Sequence, residues 1–196
     1  FPLFDGKSFT GWEGDTEKTW RIEEGAIVAG SHERPAPRND FLTTTREFDD
    51  FDLRLKYRIV GDERINAGVQ FRTRRIPDHH EVIGYQADIG PNYDGQLYDE
   101  SRRRRTLAGP DAATLRRALE ATPQGGWNTY RIRAVGDRIQ LWLNGVQTVD
   151  FREPDDRVAR RGVVALQIHG GMRGLISYKD IRIESLSATK EVVPPQ

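Results

Sequence analysis

Alternation of apolar and polar residues constrains this chain more than any other feature. In Phe51-Asp-Leu-Arg-Leu-Lys-Tyr-Arg-Ile59, Phe51, Leu53, Leu55, Tyr57 and Ile59 fall on one side, and Asp52, Arg54, Lys56 and Arg58 on the other. A side-chain period of two belongs to a half-buried β-strand. The same pattern, less regular, predicts strands at Trp20–Val28, Asn66–Arg72, Val82–Ile89, Gly162–His169 and Leu175–Leu186. Trp127–Ala134 and Arg138–Leu143 are predicted to pair across Val135-Gly136-Asp137. Asn144-Gly145, two residues that tolerate positive φ, then turns the chain back into Val146–Phe151. One stretch breaks the rhythm. Pro110–Thr122 has Pro near a start, good helix formers and Leu115/Leu119 four apart, and it ends at Pro123 and Gly125-Gly126. Many strands separated by turns, with one short helical insertion near 110–122, predict an all-β antiparallel sandwich. No internal repeat or domain boundary is visible. The expectation is one domain over 1–186 and a patternless tail over 187–196.

Composition removes several classes of function. Thirty Lys+Arg balance thirty Asp+Glu, which argues against nucleic acid as a partner and against a polybasic membrane clamp. No apolar run approaches the ~20 residues of a membrane span, so membrane insertion is not expected. The absence of cysteine excludes disulfides, zinc–thiolate sites and Cys nucleophiles. The chain opens on Phe1-Pro2-Leu3-Phe4-Asp5-Gly6 without a signal peptide. A mature or trimmed protein of periplasmic or secreted location is the expectation.

Alternation also sorts side chains by face. In Asn66–Arg72, Ala67, Val69 and Phe71 go to the core, and Asn66, Gly68, Gln70 and Arg72 to the other side. Gln86 and Asp88 share a face opposite Tyr85 and Ala87, and Gln167 and His169 share one opposite Val164, Leu166 and Ile168. If these strands are neighbours, Asn66, Gln70, Arg72, Gln86, Asp88, Gln167 and His169 line one concave surface. Tyr98, Asp99 and Glu100, at the end of a further short strand, could close its rim. Any sandwich has a polar solvent face. Thr, Lys, Glu and Arg would be ordinary there, whereas amides, a carboxylate and an imidazole suit sugar hydroxyls, which both donate and accept. Gly68, Gly84, Gly90, Gly95, Gly170 and Gly171 are expected to leave room for a ligand to approach the backbone.

Other features are weaker. His79-His80 reads as an exposed loop pair, and no HExxH or H-x-H spacing exists. His169 with Asp88 or Glu100 could still hold a divalent metal ion assembled through space. The run Arg102–Arg105 lies in a segment with six arginines against Asp111 and Glu120; it reads as a solvated loop, with an anion or partner contact as the sharper alternative. Trp142 alternates out of the Ile139/Leu141/Leu143 set and could stack on a sugar ring. No phosphate loop, GxSxG elbow or E-x-D-x-x-E glycosidase motif is present.

Taken in order, the motifs resemble the 3-keto-disaccharide hydrolase domain family. Leu3-Phe4-Asp5-Gly6-Lys7 with Gly11-Trp12 is similar to its opening, and Trp20–Gly25 and Phe51–Arg58 are similar to its next two motifs. Asn66–Arg72, Gly84–Gly90 with Gly95–Glu100, Trp127–Tyr130, Leu143–Gly145 and Leu166–Gly170 continue the resemblance, which covers about residues 2–186. Many members carry Glu at the second position of a Tyr-Glu-x-Gln strand. This chain has Gln86 there and Asp88 two residues on, so a role for that Glu does not transfer to Gln86 and falls instead on Asp88.

The resemblance implies a concanavalin A-like jelly roll acting on glycosides oxidised to a ketone at C3. Such a ketone acidifies the C2 proton, so a base can form an enolate that expels the C1 substituent, and water can add back. The reaction needs a base, an electrophile for the enolate oxygen and hydroxyl anchors. For that chemistry His169 is the expected base, with Asp88 or Glu100 as its orienter or as the alternative base, and Arg72, or a metal held by His169 and the carboxylates, is the expected electrophile. Asn66, Gln70, Gln86, Tyr98, Gln167 and Trp142 are the expected substrate contacts. A carbohydrate-binding module of the same fold without catalysis, and a structural sandwich contacting a partner through Arg102–Arg105, are the competing expectations. Oligomeric state is not legible.

Overall fold

The computed structural model describes residues 1–122 and 125–186; the sequence-predicted tail at 187–196 lies outside them. Among the described residues fourteen strands and one helix succeed one another: β1 (Trp12–Glu13), β2 (Trp20–Glu23), β3 (Ala26–Ser31), β4 (Asp40–Phe48), β5 (Phe51–Gly61), β6 (Ala67–Arg75), β7 (Val82–Ile89), β8 (Leu97–Glu100), β9 (Arg105–Ala108), α1 (Ala112–Glu120), β10 (Asn128–Val135), β11 (Arg138–Leu143), β12 (Val146–Arg152), β13 (Gly162–Ile168) and β14 (Gly174–Ser185). They form two seven-stranded antiparallel sheets, β1-β4-β13-β6-β7-β8-β9 and β12-β11-β10-β5-β14-β3-β2. The sandwich expectation holds, and so does the helix, whose N-cap Asp111 accepts from the Thr114 amide.

Two differences from the sequence reading have plain causes. Trp20–Val28 is two strands, because Glu24 and Gly25 adopt φ of 49° and 75° and turn the chain. β4 lacks the alternation signal because Phe41, Leu42, Thr43 and Thr44 are all buried, and a strand covered on both faces has no polar side to reveal it.

The core lies between the sheets. Leu53, Leu55, Ile132 and Leu141 of one meet Ala67, Val69, Phe71 and Leu166 of the other. Phe71 stacks on Tyr85 at 5.6 Å and meets Phe51 edge-on at 6.1 Å. Two buried tyrosines of the second sheet span this core and hold the first sheet from beneath. The Tyr178 hydroxyl reaches the carbonyls of Gln167 (2.8 Å) and Gly68 (3.1 Å), and Tyr130 donates to the carbonyl of Asp88 at 3.2 Å. The strands carrying the polar face are thereby fixed to the far sheet.

Candidate functional site: a buried polar face on the first sheet

Register assembles the site in rows. Thr43, Ala165, Gln70, Gln86, Tyr98 and Thr106 stand opposite one another across β4, β13, β6, β7, β8 and β9. The next row on the same face is Phe41, Gln167, Gly68 and Asp88. Glu100 pairs with Gly84, two residues before Gln86. Beyond the other end, the His169 amide donates to the Asn66 carbonyl at 3.2 Å. The structure therefore brings Asn66, Gln70, Gln86, Asp88, Tyr98, Glu100, Gln167 and His169 to one face.

That face is deeper than an ordinary solvated sheet. Gln70 and Gln167 are 0% exposed, Gln86 3% and Asp88 4%, whereas Asn66, Tyr98, Glu100 and His169 are half-buried at its rim. Phe41, Val82 and Ala165 form a small buried apolar cluster beside the amides. An amide chain crosses the floor: Gln70 Nε2 donates to Gln86 Oε1, and Gln86 Nε2 donates to Asp88 Oδ1 at 2.6 Å. Gly68 makes the chain possible, since a Cβ there would stand 2.4 Å from the Gln86 amide carbon.

Hydrogen-bonding capacity on the face is left over. Gln70 Oε1, Asn66 Oδ1 and both amide atoms of Gln167 are buried without a partner. Most buried side-chain polar atoms in folded proteins are paired, and each orphan costs about 1–3 kcal/mol. Gln167, wholly buried yet unsatisfied at oxygen and nitrogen, offers one acceptor and two donors to a ligand.

The two carboxyls are electrostatically unusual. Burial raises Asp88 to about 7 against the lowering effect of Gln86, with Glu100 and Asp94 pushing the same way as burial. Burial raises Glu100 to about 7 as well, and the Glu81 charge adds to it. Two carboxyls poised near neutrality are suited to exchanging protons with a substrate at pH 7. His169 is placed differently from the expectation. Its Nδ1 stands 2.7 Å from the Gly170 carbonyl, so the neutral ring carries its proton on Nδ1 and presents Nε2 as a lone pair. Neither carboxyl hydrogen-bonds the ring; a backbone carbonyl orients it.

Several expectations are corrected. Arg72 does not line the face. It adopts φ +47° within a bulge between Phe71 and Arg74, and its guanidinium donates to Asp49 O (2.9 Å), Gly136 O (2.7 Å) and Asp50 Oδ1 (3.0 Å). Each of its three guanidinium nitrogens is engaged, tying β6 to the β4–β5 connection between the sheets and to the β10–β11 turn of the other sheet. Trp142 lies on the outer face of β11, in the opposite sheet, with Arg131 over its ring at 4.5 Å. The glycines mostly admit protein, not ligand: a Cβ would meet Gln86 at Gly68, Thr73 at Gly84, Ile65 O at Gly90, Thr148 at Gly95 and Arg38 at Gly170, and of the six only Gly171 faces open space. Among the described residues no three His, Asp or Glu side chains converge as metal ligands, so His169, Asp88 and Glu100 do not form the divalent-ion site that the sequence allowed.

Arg102–Arg105 is not a uniformly solvated loop. Arg103 grips the fully buried Asp99 and donates to both oxygens of Glu153, Nη1–Oε1 at 3.1 Å. Glu153 also accepts from Tyr85, and Arg102 stacks over Tyr85 at 4.7 Å. Half of the run is an internal clamp; Arg104 and Arg105 remain exposed. The sequence reading missed Glu81, whose Oε2 is buried without a partner while Oε1 accepts from Asn39 at 2.9 Å. It also missed the Phe41/Val82/Ala165 cluster. Neither had a signal, because both depend on β4 and the residue that leads into it, a stretch that alternation does not reveal.

Comparison with known proteins identifies the family and the fold. The family model of the 3-keto-alpha-glucoside-1,2-lyase-like domain matches residues 2–184. The chain belongs to that family. No curated protein matches it. Among solved structures, this family member resembles a candidate glycosyl hydrolase from Parabacteroides distasonis at 19% identity, covering 94% of this chain and 92% of that one, with a TM-score of 0.69. It also resembles a carbohydrate-binding module from Bacillus subtilis at 17% identity, covering 89% and 96%, TM-score 0.67. A third likeness is to the carbohydrate recognition domain of Emp46p, at 11% identity, 90% and 89% coverage and TM-score 0.64. At these identities the likenesses establish the sandwich fold, of the galectin and concanavalin type. Among the described residues no helix is long and apolar enough to cross a membrane.

Proposed function

We propose that this protein cleaves the glycosidic bond of sugars already oxidised to a ketone at C3, by elimination, with water able to add back. The observation that carries this reading is the pair Asp88 and Glu100, two carboxyls held near neutrality beside a buried amide without partners. An ordinary glycosidase pair separates the roles of acid and nucleophile across an unactivated acetal. A 3-keto-glycoside needs only proton transfers. The C2–H bond breaks and its proton passes to a base, the electron pair entering an enolate. The enolate collapses to restore the C3 carbonyl, forms C1=C2 and expels the C1 oxygen, which takes a proton from an acid. His169 Nε2 and the ionised member of the carboxyl pair are the available bases; the protonated member is the available acid. Donors for the enolate oxygen come from the Gln167 amide and not from Arg72, and Asn66, Gln70 and Tyr98 supply hydroxyl contacts. Family membership supports the 3-keto substrate class, and the hydrolase-like neighbour supports a carbohydrate-related role.

The test is release of p-nitrophenol from a p-nitrophenyl 3-keto-glucoside across pH 5–9, with and without EDTA. A bell centred near pH 7, EDTA-insensitive and lowered by His169→Ala, is the expected result. No release from α or β substrates, together with retained sugar binding, would support the competing reading of a binding module, for which the Bacillus module is the specific motive.

A further inference from the structure

Glu81 is a carboxylate that the proposed reaction leaves unused. It closes the β6–β7 hairpin, where the Ile76 amide donates to its carbonyl at 3.1 Å. Arg75 Nη2 ties that hairpin to the Phe41 carbonyl at 3.0 Å. The Glu81 side chain is thereby brought to Asn39, whose Nδ2 donates to Glu81 Oε1 at 2.9 Å. His80 Nε2 lies 3.3 Å from the same oxygen. The other oxygen, Oε2, is buried without a partner, a burial that costs more for a charged group than for a neutral one. From Glu81 the hydrogen bonds run on in one direction. Asn39 Oδ1 accepts from the Gly170 amide at 2.8 Å, and the Gly170 carbonyl stands 2.7 Å from His169 Nδ1. The backbones of the two segments are paired here. The Gly171 amide donates to Ala36 and the Ala36 amide to Met172, each at 2.8 Å, and a Cβ on Gly170 would stand 2.9 Å from the Arg38 backbone.

We propose that Glu81 is a positioning residue for His169: through Asn39 and Gly170 it fixes the carbonyl that holds the imidazole proton on Nδ1, and so keeps the Nε2 lone pair turned to the substrate. The role in catalysis rests on the reading of His169 as a base. The physical argument is one of polarity. A side-chain amide can turn over and exchange its donor and acceptor ends. A carboxylate only accepts, so Glu81 allows Asn39 one orientation, with NH2 toward Glu81 and oxygen toward Gly170. Turned over, Asn39 would set oxygen against oxygen at Glu81 and N–H against N–H at Gly170. A glutamine at 81 accepts or donates with equal ease, and the sense of the relay is lost.

The experiment is long-range 1H–15N correlation spectroscopy of the full chain labelled at histidine nitrogen, at pH 9, above the ordinary range of histidine titration. His169→Ala identifies the His169 signals among the four histidines. The wild-type ring is expected to carry its proton on Nδ1. In Glu81→Gln and in Asn39→Ala the ratio of the Nδ1–H to the Nε2–H form should fall about fivefold or more. Glu17→Gln, at an exposed acid elsewhere, should leave it unchanged. Glu81→Gln is nearly isosteric and both sites are half-buried, so both variants should fold; their melting temperatures check that. Glu81→Gln also removes a charge that acts on Glu100, so the kinetic arm uses Asn39→Ala. Its kcat on a 3-keto-glucoside should fall about tenfold with KM unchanged, and adding it to His169→Ala should cause no further loss. A wild-type ring protonated on Nε2, or a tautomer ratio unchanged in Glu81→Gln, overturns the proposal whatever the turnover. So does a loss in Asn39→Ala that persists without His169. A shifted ratio in a protein that releases no product supports the relay and overturns the proposed reaction instead.

Discussion

The two sheets each carry a polar outer face, and the faces differ in how their polar groups are satisfied. On the second sheet the charges are paired with one another. Arg138 holds Asp150, Lys56 holds Asp180, and Arg131 holds Asp52 with Nε–Oδ1 at 3.0 Å. Trp142 and Trp127 lie under cations, Lys179 being 4.0 Å from the Trp127 ring centre. On the first sheet the polar groups are amides and carboxyls, they are buried, and several lack partners. Exposed ion pairs contribute about 0–1 kcal/mol each; buried orphans cost about 1–3 kcal/mol each. One face is arranged for solubility and the other carries a standing instability, which a folded chain retains where the groups serve a ligand.

Breaking the contrast at its strongest point means removing a proton site. Asp88→Asn should lower turnover of a 3-keto-glucoside by about 10²–10⁴-fold, measured in steady-state assays. The same variant tests stability. Asp88 has a folded pKa raised from 3.8 to about 7, so its favourable contribution is complete below pH 4 and disappears as pH rises through 7. Glu100 acts in the same direction from 4.5. Denaturant titration should therefore show Asp88→Asn gaining on the wild type by a few kcal/mol between pH 4 and pH 8. A constant difference would mean that Asp88 is not titrating in that window.

A smaller effect of opposite character is expected at the amide. Gln167→Leu removes two orphans and keeps the volume, so urea unfolding should show it as stable as the wild type or about 1–2 kcal/mol more stable, with sugar binding lost. Destabilisation would mean that the amide is satisfied in solution. The smallest effect belongs to the second sheet, where Arg138→Ala should cost under about 1 kcal/mol in the same measurement and leave turnover unchanged.

Much of this was legible in the sequence. Period two placed Gln70, Gln86, Asp88 and Gln167 on outward faces, and the strands carrying them are neighbours in one sheet. Alternation distinguishes inside from outside, however, and not one sheet from the other. Trp142 was correctly placed outside the core yet stands on the wrong side of the molecule for the amides. Arg72 failed for a different reason: one residue in the left-handed region shifts the register and redirects the side chain, and no pattern of apolar residues reports it. The electrostatics of Asp88 depends on how deeply it is buried, and alternation says which face a residue takes, not how well that face is covered. Arg103 looked like part of a charge run because its partner Glu153 is fifty residues away.

The most direct test is to assay Asp88→Asn and Trp142→Ala side by side for release from a chromogenic 3-keto-glucoside. Loss of turnover in Asp88→Asn with wild-type turnover in Trp142→Ala is the predicted result. Full turnover in Asp88→Asn with loss in Trp142→Ala would place the chemistry on the other sheet and contradict the assignment of the site to the buried amide face.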